Sequence, residues 1–73
     1  MSAIAIKSEI SGSVWKILKS PGDAVVEEEP VMILESMKME IPVMAPEDGV
    51  IASIDIAEGD AVAEGQVVAT MGG

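Results

Sequence analysis

Lys38 is the side chain whose surroundings most need a chemical reason. It lies between two methionines inside the run Glu35-Ser36-Met37-Lys38-Met39-Glu40. A lysine amine is a nucleophile once it loses its proton, and so a point at which an acyl group can be attached. Apolar groups in water cost free energy, so Met37 and Met39 beside a surface amine make sense where another protein reads them. Catalysis has little to work with elsewhere. The chain has no histidine and no cysteine, which excludes disulfides, Cys/His zinc sites and histidine-based proton transfer. Carboxylates could still hold calcium, but no Asp-x-Asp-x-Asp-Gly loop occurs. No glycine-rich phosphate loop is present either. These residues suit carrying a group better than transforming one.

Composition narrows the partners. Four lysines against thirteen acidic residues give a net charge of −9. Nucleic acids and anionic membrane surfaces require basic clusters, so neither is expected as a partner. No apolar run approaches the roughly 20 residues that span a bilayer. The first residues lack a charged leader followed by a long apolar block, and a cytoplasmic location is expected. At 73 residues, 49% of them apolar, the chain is expected to form a single domain over 1–73. Trp15 is the only aromatic residue. The core must therefore come from Val, Ile, Leu, Met and Ala, a thin interior without an aromatic-lined cleft.

Shifting the sequence by 37 residues superposes it on itself without a gap, with nine identities. Ile4 falls on Ile41, Gly12 on Gly49, Ile17 on Ile54 and Val31 on Val68. Gly22-Asp23-Ala24-Val25 falls on Gly59-Asp60-Ala61-Val62, and Glu27 on Glu64. Two repeats are too few for a solenoid, so the halves should pack on each other. Each half reads as short β-branched runs punctuated by Gly and Pro, with no helical spacing of apolar residues. The expected fold is all-β, a small flattened barrel or sandwich of two related halves. Gly22 and Gly59 precede Asp in tight turns that suit a positive φ. Glu28 occupies the place of Gly65 and would be mildly strained if that turn needs a left-handed residue. The run Glu27-Glu28-Glu29 reads as a solvated turn.

The repeat also places the lysine. Lys38 answers to Met1, so it lies at the seam between the halves. There it should crown a hairpin between a strand ending near Glu35 and one starting near Glu40. Taken alone, Met37 and Met39 have a second reading as adaptable core filling, with strand alternation placing both on one face and Lys38 on the other. The seam position, the flanking acids Glu35 and Glu40, and the nearby apolar anchors Met32, Leu34 and Ile41 weigh toward recognition.

Glu35-Ser36-Met37-Lys38-Met39 resembles the Glu-Ala-Met-Lys-Met motif of biotin carboxyl carrier domains, with Ser36 in place of Ala. Ala45-Pro46 with Gly49, and Gly59-Asp60-Ala61-Val62 with Gly65-Gln66, resemble the repeated framework of that family from about Ile4 to Met71. The resemblance implies covalent biotin on Lys38, attached by a biotin protein ligase. Glu35, Met37, Met39 and Glu40 would then serve recognition by the ligase or its partners. It further implies a non-catalytic carrier that shuttles a carboxyl group from a biotin carboxylase to a carboxyltransferase. The acceptor would be an acyl-CoA, urea or an oxo acid. The hydroxyl of Ser36 would bear on rate rather than on the assignment. Larger acetyl-CoA carboxylase carriers have a Pro/Ala-rich leader or an inserted thumb loop. This chain is more similar to minimal carriers, or to a domain of a longer chain. A lipoyl carrier shares the expected fold, but lipoyl domains usually carry Asp-Lys-Ala at the tip. Lipoyl-like interaction modules lack the hairpin lysine altogether.

Overall fold

The computed structural model describes residues 3–72, so Met1, the counterpart of Lys38, lies outside the described residues. Eight strands follow in order: β1 Ala3–Lys7, β2 Gly12–Ile17, β3 Ala24–Val25, β4 Pro30–Ser36, β5 Met39–Met44, β6 Gly49–Ile54, β7 Ala61–Val62 and β8 Val67–Gly72. They form two antiparallel four-stranded sheets, β1-β8-β6-β3 and β5-β4-β2-β7. No helix occurs among the described residues. The all-β expectation holds, and the molecule is a flattened sandwich of about 36 × 17 × 17 Å.

The internal repeat is visible strand by strand. Each strand of one sheet has its counterpart in the other, and even the registers correspond. Ser13 pairs with Glu35 in one sheet and Val50 with Gly72 in the other. Matching bulges fall between Val14 and Lys16 and between Ile51 and Ser53. The halves do not fold side by side. β3 of the first half joins β6 of the second, while β7 of the second half joins β2 of the first. β1 likewise pairs with β8, and β4 with β5. Every sheet therefore needs both halves.

Inward-facing residues of both halves make one core. Val14, Val25, Val31 and Leu34 are buried together with their counterparts Ile51, Val62, Val68 and Met71. Full burial of such a side chain contributes roughly 1.5–3 kcal/mol, which is how a 73-residue chain whose one aromatic, Trp15, lies outside the buried core holds together. The turns repeat as well. The Asp23 carboxylate accepts the Ser20 N–H at 2.8 Å, and Asp60 accepts that of Ala57 at 2.9 Å. Gly22 and Gly59 have φ of 95° and 92°, as their turn positions suggested.

Glu28 has φ 68° where Gly65 has 85°, so the strained alternative is the one found. The reading of Glu27-Glu28-Glu29 as a solvated turn needs one correction. Glu29 is half-buried, and its Oε1 accepts the Val26 N–H at 2.9 Å. Its counterpart Gln66 accepts the Ala63 N–H in the same way, so this turn requires an acceptor there in both halves. Glu29 also lies 2.6 Å from Lys19 Nζ. That hydrogen bond raises the Lys19 pKa and lowers that of Glu29.

Candidate functional site

β4 and β5 are joined by a two-residue loop, Met37-Lys38, which closes on the pair Ser36 and Met39. Both loop residues have positive φ, 52° for Met37 and 64° for Lys38. Such a pair defines a type I′ turn, whose twist matches that of the flanking strands. The turn favours Asn-Gly; a residue with a larger side chain costs about 1–2 kcal/mol at each left-handed position. Strain held at an exposed tip points to a use for those side chains.

This geometry replaces the alternation argument for Met37 and Met39. Met37 is not a strand residue at all, and with Lys38 it forms the turn itself. Met37 is 92% exposed and Met39 63%, so neither fills the core. Met32 and Leu34 are fully buried and Ile41 partly so; these are the anchors beneath the hairpin. Glu35 and Glu40 sit directly opposite each other one pair below the closing residues, both exposed. Like charges so placed are mutually destabilising, by about 0.2–1 kcal/mol.

The tip is braced from behind. A Cβ on Gly12 would run into the Glu35 carbonyl and stand 3.2 Å from Ser36 Cβ, so β2 reaches the end of β4 only as glycine. Ser36 Oγ donates to the Ser11 carbonyl at 2.9 Å, and Ser11 Oγ accepts the Glu64 N–H at 3.2 Å. Ser36 is therefore a structural tie, a role that its sequence neighbours could not reveal because its partner lies 25 positions away. The nearest signal was the identity of Gly12 with Gly49 in the repeat.

The tip holds an exposed amine between two apolar side chains on a hairpin packed closely against β2. Among the described residues the ion pair is Lys19–Glu29, and no carboxylate engages the Lys38 ammonium. Lys16 is instead drawn over the Trp15 ring, 5.5 Å from its centroid. An amine so placed can enter another protein's active site, and the donor fits a group held through an amide bond.

The family model described as "Biotin-requiring enzyme" matches residues 2–71. The chain is 38% identical over 65 residues to a biotin/lipoyl attachment protein of Bacillus subtilis, covering 89% of each. The urea carboxylase of Kluyveromyces lactis contains a region similar in structure, with TM-score 0.92 and 35% identity. That match covers 97% of this chain and 6% of the carboxylase. The lipoyl domain of the 2-oxoglutarate dehydrogenase complex of Azotobacter vinelandii gives TM-score 0.73 at 36% identity, covering 86% of this chain and 80% of that domain.

Proposed function

The chain belongs to the biotin/lipoyl attachment family, a fold of non-catalytic carriers, and on that premise we propose that Lys38 carries covalently bound biotin. In this reading the chain shuttles a carboxyl group between the biotin carboxylase and carboxyltransferase components of a biotin-dependent carboxylase. The observation that carries the proposal is the Met37-Lys38 turn, exposed at the hairpin tip and flanked by Met39. Biotin, once attached, supplies a ureido nitrogen that takes up and releases the carboxyl group.

The chain's own residues supply attachment, presentation and recognition. Lys38 Nζ must lose a proton before it attacks an activated biotinyl carbonyl. The chain has no histidine, so the base comes from a biotin protein ligase. The new N–C bond forms as the activating group leaves, and the positive charge of Lys38 disappears. Met37 and Met39 offer apolar contact on either side of the amine, and Glu35 and Glu40 offer charge. The Gly12 approach and the Ser36 tie hold the base of the hairpin against β2 and the loop before it. Holding the loaded group on one surface raises its effective concentration at the next active site.

Lipoylation is the second reading, and the likeness to a lipoyl domain supports it. Met37-Lys38-Met39 favours biotin over the Asp-Lys-Ala usual at lipoyl tips. Intact mass after incubation with a biotin protein ligase, ATP and biotin tests the proposal. A single biotinyl adduct is expected on the parent chain and none on Lys38→Ala. A lipoyl adduct from a lipoate ligase, with no biotin uptake, would reverse the assignment. Full biotinylation of Lys38→Ala would remove it.

A further inference from the structure

The two-fold relation between the sheets makes one outer face a control for the other. Across the bulge in β2, Trp15 and Lys16 together oppose Ile33 of β4, and Ile33 in turn opposes Pro42 of β5. Met44 is the next outward residue of β5, and Leu18 lies just past β2. Trp15, Leu18 and Met44 are each close to half-exposed. The counterparts on the other sheet are Ala52 for Trp15, Asp55 for Leu18 and Thr70 for Ile33, with Ala5 for Pro42 and Lys7 for Met44. Val50, answering to Ser13, runs the other way. At five matched positions the same backbone accepts small or polar residues on one face and larger apolar ones on the other. Folding therefore does not account for the apolar set, and an exposed patch of this kind marks an interaction surface.

Its position and charge indicate the occupant. The patch lies on the sheet whose hairpin presents Lys38. Between patch and tip stand Glu35 and Glu40, paired across the strands at a cost that a partner's cation would relieve. We propose that the outer face of the β5-β4-β2-β7 sheet is the docking surface for the ligase that loads Lys38. The matching ligase surface is apolar and edged with lysine or arginine. The inference rests on reading Lys38 as the attachment point. Docking here covers Lys16 while leaving Lys38 at the rim, and Lys19 is tied to Glu29. Lys7 belongs to β1 of the other sheet but borders the recess that Pro42 and Met44 line, so placement disfavours Lys16 and Lys19 as targets. A ligase meets each carrier once, so a broad apolar contact does not slow turnover as it would for an enzyme visited every cycle. A second copy of the chain is disfavoured by the net charge of −9 on each.

The test grafts the opposite face onto this one, as Trp15→Ala, Leu18→Asp, Ile33→Thr and Met44→Lys together. Loading kinetics are measured with a purified bacterial biotin protein ligase. KM for the chain should rise about tenfold or more while kcat holds, the loss expected when a central contact set is removed. Trp15→Ala and Met44→Lys alone change exposed side chains only, and each should raise KM severalfold with cooperative thermal unfolding retained. Val50→Ser on the other face should leave KM unchanged. Loading of the grafted chain with an unaltered KM overturns the docking surface and leaves the carrier reading intact. Failure of the parent chain to load at all overturns both. Dimerisation of the parent chain through this face, seen by sedimentation and abolished by the graft, overturns the ligase as occupant.

Discussion

At the residue scale, the strain at Met37 and Lys38 separates stability from use. Their positive φ values place bulky side chains where Asn or Gly would be more stable. Met37→Asn keeps Lys38 and suits the left-handed turn, so the fold should gain about 0.5–1 kcal/mol. Biotin loading should nevertheless slow, because the apolar contact beside the amine is lost. Urea unfolding and loading rates on the same sample check both halves of this expectation. A purely structural methionine would move stability without touching the rate. The run around Lys38 was legible as chemistry in the sequence because Met-Lys-Met has no reason to sit exposed. The turn type was not legible, since Met-Lys carries none of the Asn-Gly signal that announces a type I′ loop. That gap is why alternation placed Met37 and Met39 on a shared strand face when Met37 is part of the turn.

At the element scale, the β4–β5 hairpin depends on what lies behind it. Gly12 is required by the Glu35 carbonyl, and Ser36 is tied to the loop before β2. Gly12→Ala should cost about 1–3 kcal/mol, since a methyl group is forced against backbone. It should also slow loading by loosening the tip. Thermal unfolding together with loading kinetics measures both, and an unchanged rate would mean that the brace serves stability alone. Strand positions could be read from β-branched runs and from glycine-bearing turns. The long-range ties could not, because the Ser36 hydroxyl meets a carbonyl supplied by a different turn. Glu29 is a comparable case. A triplet of glutamates reads as solvent-facing, and only the repeated turn shows that its third member must accept a backbone hydrogen.

At the scale of the whole molecule, the offset of 37 residues revealed two related halves, but not that they exchange strands between sheets. Identities at a fixed offset report similarity, whereas pairing depends on which edges meet. Because each sheet takes strands from both halves, neither half buries a core alone, and small chains are already marginal. Fragments 1–36 and 37–73 should each lack a cooperative thermal transition by circular dichroism and regain the parent spectrum when mixed. A cooperative transition in either fragment alone would show that the exchange is dispensable. The central claim, however, is that this exchanged fold exists to hold one amine outward for attachment. Peptide mapping by tandem mass spectrometry, after loading by a biotin protein ligase, tests it most directly. The expected result is biotin on Lys38, with Lys7, Lys16 and Lys19 free. Biotin spread over those other lysines, or absent from Lys38, would contradict it.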